Sequence, residues 1–307
     1  MRRRTFLGAL AAGPAALGAE PELRVAVNRT TIESAPLLVR EIPGVRIVPV
    51  ANGRAASAQL VSGAVDAATG SETQALLNSV AQPDLRILLT LAECRYRLVA
   101  RRSTGIRAVA DLHGKRVAVT KNTSAEYFLA EMLGTARLKE SDVTLVPLEG
   151  EAMPAALAKP DVDAIAIWEP HAQNASDRLG GEAVVLEDPS VYGERFNLNS
   201  TVRVLRDPAK RRALVRLVRA VIRVSAQLEQ SPHDFTPALA QVLATPEAVI
   251  AKVWGQFRFP AALDEPQLRL VLEDMEPWAA AITRRPPRPR ATLVTLIESD
   301  ILAEARQ

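Results

Sequence analysis

Three histidines, one cysteine and no paired catalytic motif are what this 307-residue chain offers to covalent chemistry. His113, His171 and His233 stand alone, with none of the close spacings that grip a metal ion. Gly114-Lys115 is followed by Arg116, and Val109 stands where a phosphate-binding loop needs its first glycine. No Gly-x-Ser-x-Gly nucleophile elbow occurs. Cys94 beside Arg95 could be an activated thiolate, but its strand-like surroundings read as a buried structural thiol. A lone cysteine also excludes an internal disulfide. No enzyme activity, metal or cofactor is expected. The chain is instead rich in hydroxyls and amides, grouped in two places. One is Asn28-Arg29-Thr30-Thr31-Ile32-Glu33-Ser34, and the other is Thr120-Lys121-Asn122-Thr123-Ser124. Such groups beside a helix N-terminus suit reversible capture of an anion.

Each cluster follows the same four letters. "RVAV" stands at 24–27 and again at 116–119. The echo continues. "VRIVPVANGRAASAQLVSGAVDAATGSE" begins at Val45 and "VTLVPLEGEAMPAALAKPDVDAIAIWE" at Val143. Pro49 answers Pro147, Leu60 answers Leu157, and Val65-Asp66-Ala67 answers Val162-Asp163-Ala164. Each copy reads as strand, helix, strand, helix, strand. Alternating units of this length need a parallel sheet, and "VDAIAIW" has the continuous apolar character of a buried parallel strand. Two copies predict two similar lobes. The strand-rich runs 85–102 and 195–205 follow the first and the second copy. Beyond these lies a helical tail. Asp207-Pro208 caps a helix striped by Leu214, Leu217, Val218, Val221 and Ile222. Further helices start at Thr245-Pro246 and at Asp264, and a last one is expected over 291–305. "RRPPRPR" at 284–290 reads as a solvated linker.

Parallel strands open their ligand sites at their carboxyl ends, so the loops after them hold the candidate residues. Thr30 and Thr31 come before a helix whose start Pro36 sets near Glu33 or Ser34. Thr123-Ser124-Ala125-Glu126 has the form of a capping box, which needs no ligand, though a cap can still border a site. Asn122, Ser124 and Tyr127 belong to the same candidate wall. Ser71 and Glu72 end the third strand of the first copy, though Glu72 can simply enter the next helix. Trp168 and Glu169 take that place in the second copy. Trp168 would stack on a ligand or plug the core. Glu169 would bind an amine or tie a crossing strand. Asn199 lies near the second crossing. If a carboxylate from each lobe faced inward, a ligand with an amine as well as an anion, such as taurine, would be favoured.

The N-terminus "MRRRTFLGALAAGPAALGAE" has a basic start, a short apolar stretch and small residues before Glu20. That is an export-signal pattern over 1–19, and Arg3-Arg4-Thr5-Phe6-Leu7 also resembles a twin-arginine signal. No cysteine near residue 20 offers a lipid anchor. A periplasmic, monomeric protein is expected. The formal charge is +3, and Arg2, Arg3 and Arg4 account for it. No basic stripe remains for nucleic acid.

At "IRAVADLHGKRVAV" (106–119) and "VDAIAIWEP" (162–170) the chain resembles the substrate-binding proteins of ABC importers for sulfonates, taurine, nitrate and related solutes. The resemblance runs over about 24–280. It implies an α/β, two-lobed periplasmic-binding-protein fold of type II, with a mostly parallel sheet flanked by helices in each lobe. The ligand cleft would lie between them. Lobe 1 would comprise 24–98 plus 200–307, and lobe 2 102–196. The implied function is capture of a small anionic or zwitterionic solute by lobe closure, and the implied partner is an ABC permease with its ATPase. The same fold includes pyrimidine-precursor synthases of thiamine biosynthesis, but their Cys-rich segment is absent. A solute sensor docking on a membrane receptor is a further alternative. The first helix of lobe 1 departs from the family in being short.

Overall fold

A computed structural model describes residues 22–307. The export signal expected over 1–19 lies outside the described residues. Among them, no helix is long and apolar enough to cross a membrane.

The first copy of the repeat runs β1 (Leu23–Asn28), α1 (Ala35–Leu38), β2 (Val45–Val50), α2 (Gly53–Val61), β3 (Ala67–Ser71), α3 (Glu72–Asn78) and β4 (Leu85–Arg95). The chain then enters β5 (Arg97–Arg101). The second copy runs β6 (Arg116–Val119), α4 (Ser124–Thr135), β7 (Thr144–Pro147), α5 (Met153–Ala158), β8 (Ala164–Ile167), α6 (His171–Leu179) and β9 (Ala183–Leu186). It returns through β10 (Gly193–Thr201), and β11 (Phe257–Arg258) comes later.

One sheet has the order β11-β4-β10-β3-β1-β2 and the other β7-β6-β8-β5-β9. The two copies pair in the same register. β1 runs parallel to β2 with Arg24 opposite Arg46, and β6 runs parallel to β7 with Arg116 opposite Thr144. Val25 lies opposite Ala67, and Val117 opposite Ala164. The repeated aspartates explain part of this. Asp66 Oδ2 accepts the backbone N–H of Arg24, and Asp163 Oδ2 that of Arg116, at 2.9 Å in both cases. Each aspartate thus pins the first strand of its copy to the third.

Each sheet also contains an antiparallel strand in its interior, and β11 pairs antiparallel to β4 at the edge of the first. β10 lies between β3 and β4, and β5 lies between β8 and β9. The lobes therefore exchange strands, and the crossings fall at Tyr96 and at 187–192. This moves the lobe divisions a few residues from those expected: 97–98 pair in the second sheet and 193–199 in the first.

The tail closes the first lobe. Asp207 caps a helix over Pro208–Gln230, accepting from Ala209 N and Lys210 N. Leu214, Leu217, Val218 and Val221 are buried against β1 and β4. Full burial of each such side chain stabilises by about 1.5–3 kcal/mol. Asp264 caps another helix over Glu265–Ile282. Two expectations are corrected here. The last helix is two pieces, Arg290–Val294 and Asp300–Arg306. Between them the Leu296 carbonyl accepts from Ile87 N and Glu298 N donates to Ile87 O, extending the sheet beside β4. The 284–290 segment is mostly exposed but is not a free linker, because Arg285 and Arg288 both pair with the buried Glu276. Arg288 also donates to Ser79 Oγ and Leu76 O.

Candidate functional site

Asn28 ends β1, Ser71 ends β3, Thr120 follows β6 and Trp168 follows β8. All four line one cavity of about 50 Å³ between the lobes. At 10–15 Å³ per water, that is room for roughly three to five waters. Two helices open toward it. Asn52 caps α2 by accepting from Ala55 N at 2.9 Å, and Gly53 lines the cavity. Thr123 caps α4, and Ser124 lines the cavity. Both first turns direct free N–H groups and a positive dipole end at the space between them.

The lobes touch directly around this space. Ser124 Oγ donates to Glu194 Oε1 at 2.8 Å, so the Tyr96 hydroxyl, 2.8 Å from Ser124 Oγ, donates to it. Gln74 Nε2 donates to the Asn122 carbonyl at 2.7 Å. Arg54 pairs with Glu149 at the rim.

Thr31, Ser71, Thr123, Ser124 and Trp168 line the cavity. Ser71 Oγ accepts from Gln74 N, which leaves its own proton free. Thr123 has no such freedom. Its Oγ1 accepts from Ala125 N and donates to Thr120 O at 2.6 Å. The capping box is also altered, because Glu126 accepts the N–H of Asn122 and pairs with Lys121 instead of closing on Thr123. Trp168 is both wall and core: its ring meets Tyr96 edge-on while its buried Nε1 finds no acceptor. Gly150 is what lets the chain pass here, since a Cβ would sit 3.1 Å from His171 Cδ2 and 3.3 Å from Trp168.

Thr30, Glu72, Asn122, Tyr127, Glu169 and Asn199 do not line the cavity. Thr30 Oγ1 donates to Asn28 Oδ1 in its own turn and to Ala51 O just after β2. Asn122 sits at φ 57°, which asparagine tolerates, and offers its carbonyl to the other lobe. Tyr127 packs on Tyr192 and Trp278. Asn199 is buried within β10, and its Nδ2 donates to Gly70 O on β3. Glu72 and Glu169 hold the exchanged strands. Glu72 accepts from the Tyr192 hydroxyl and from Arg195 N, and Glu169 pairs with Arg97 and accepts from Gln173 N. For Glu169 this is the strand-tying alternative.

The site carboxylates lie elsewhere. Glu33 and Glu194 are buried and line the cavity. Burial pushes the Glu33 carboxyl up to about 7. Burial, then the nearby charges of Glu33 and Glu72, push Glu194 well above the carboxylate range. The Cys94 thiol, opposite Glu194 in the β4–β10 pair, is also pushed well up by burial. Sequence reasoning passed over Glu33, Glu194, Tyr96 and Gln74. The available signal was placement: Glu33 stands between Ile32 and Ser34 in a turn already suspected, and Glu194 two residues before the apolar Phe196.

The family profile described as NMT1/THI5 like matches residues 44–227. The chain belongs to the NMT1/THI5-like family. Relatives agree with this. It is 32% identical over 155 residues to an Escherichia coli K12 protein described as aliphatic-sulfonates-binding, covering 50% of this chain and 47% of that protein. It is 31% identical over 105 residues to a Bacillus subtilis protein described in the same way, covering 34% of this chain and 32% of that one. The chain thus matches half or less of these relatives' length. Solved structures share the fold over most of the chain. The alkanesulfonate-binding protein SsuA from Xanthomonas axonopodis, bound to MOPS, superposes with TM-score 0.71 at 24% identity, over 92% of this chain and all of that one. The periplasmic nitrate-binding protein NrtA from Synechocystis gives 0.73 at 14%, over 94% and 90%. The desulfurization enzyme DszB also has this fold, at TM-score 0.67 and 17% identity, over 92% and 99%. The two-lobed periplasmic-binding-protein architecture is therefore established, while fold alone does not separate receptors from enzymes.

Proposed function

We propose that this protein is an exported, non-catalytic solute receptor that captures a compact anionic or zwitterionic solute by lobe closure and presents it to an ABC permease. The observation that carries this reading is the cavity between the lobes, walled by strand ends and helix N-termini of both. Binding energy there would select the closed arrangement, which the permease would read. Cys94 is buried outside the lining, and its raised pKa disfavours the thiolate. Trp168, Ser71, Thr31 and Ser124 would contact the solute, with Thr123 supporting the α4 terminus.

Thermal unfolding against taurine, alkyl sulfonates, nitrate, bicarbonate and thiamine pyrimidines tests it. A ligand at a thousand times its Kd adds about 4 kcal/mol, or roughly 8–16 °C. Turnover of a bound compound would refute the receptor reading.

A further inference from the structure

The cavity carries more negative than positive groups. Glu33 comes from the turn after β1 and Glu194 from the start of β10, and both are buried. A carboxylate oxygen of each lies within 4.8 Å of the other, with Cys94 Sγ equally near. Glu33 Oε2 is buried and accepts no hydrogen bond. Arg54 is the one cation among the lining residues, and it is paired with Glu149. Nearby Arg97 is committed to Glu169, and Lys121 to Glu126. A buried carboxylate with a free oxygen is costly until a cation or donor meets it. From the other lobe, Trp168 Nε1 is a buried donor with nothing to donate to. Two lining residues, one from each lobe, thus carry a buried atom without a partner: an acceptor on Glu33 and a donor on Trp168.

We propose that the ligand is a compact zwitterion whose protonated amine sits between Glu33 and Glu194 and whose anionic group faces Trp168 Nε1 and the first turns of α2 and α4. This rests on the receptor reading above. It makes the site selective: an anion without the amine leaves the buried Glu33 Oε2 without a partner.

The test compares amines with their deaminated counterparts by calorimetry on the mature chain: taurine against ethanesulfonate, and β-alanine against propionate. The expected result is that the amine of at least one pair binds about 100-fold tighter, and that Glu33→Gln narrows the gap below about tenfold. Equal binding within the pairs overturns the zwitterion and leaves the receptor reading standing. No binding by any member overturns both for this solute class. A larger response to zinc ions alone, abolished by both Glu33→Gln and Cys94→Ala, overturns the amine in favour of a metal.

Discussion

Arg54 Nη2 and Glu149 Oε1 meet 3.0 Å apart at the cavity rim, one residue from each lobe. Their side chains remain 48% and 62% exposed, so the pair works in water and contributes no more than about 1 kcal/mol. Arg54→Ala is expected to raise the ligand release rate about 2- to 5-fold with little change in the association rate. Stopped-flow tryptophan fluorescence measures both. An unchanged release rate would show that the pair does not latch the lobes.

Glu169 is the opposite case. Its side chain is 1% exposed and that of Arg97 11%. Glu169→Ala strands a buried guanidinium and is expected to cost about 3–5 kcal/mol in urea unfolding. Replacing both partners, Arg97→Met with Glu169→Leu, is expected to recover most of that loss. A small effect of the single change would mean that Arg97 finds water.

Stability should depend on pH through Glu33. Its carboxyl rises from 4.5 to about 7 on folding. Between those values the folded chain holds a proton that the unfolded chain has lost. The stability this provides is complete below pH 4.5 and disappears as pH rises to 7, a change of about 3 kcal/mol. Glu33→Gln should flatten the decline. His171 has the reverse sign. Burial lowers it from 6.5 to about 4, so its contribution is complete above pH 6.5 and is lost as pH falls to 4. Urea titrations of wild type, Glu33→Gln and His171→Gln from pH 4 to 8 separate the two.

Binding should release protons if an amine meets Glu33. The ligand would favour the ionised carboxylate and pull its pKa down from about 7. Affinity for the amine is then expected to rise from pH 6 toward pH 8. Calorimetry in buffers of different ionisation enthalpy reads the released proton directly, and Glu33→Gln should abolish it.

In the tail, Arg288 and Arg290 should differ sharply. Arg288 reaches Glu276, Ser79 and Leu76 with its side chain 16% exposed. Arg290 is 64% exposed. Arg288→Ala is expected to cost about 2–3 kcal/mol, and Arg290→Ala under about 0.5 kcal/mol. Thermal melts would show equal effects if the segment were a solvated linker.

The sequence alone determined the doubled architecture. "RVAV", the paired aspartates and the apolar strand runs are local patterns, and period and composition are enough to read them as two parallel-sheet lobes. It also located the loops at the cavity, because the carboxyl end of a parallel strand is where its chain emerges. Only the tertiary structure decided which side chains face inward. Glu72 and Glu169 had the right position but met strands exchanged from the opposite lobe, and those partners lie 120 and 72 residues away in sequence. Glu33 and Glu194 became site residues because burial left them without a cation. Whether a carboxylate is solvated, paired or waiting for a ligand depends on what packs around it, and long-range contacts set that surrounding.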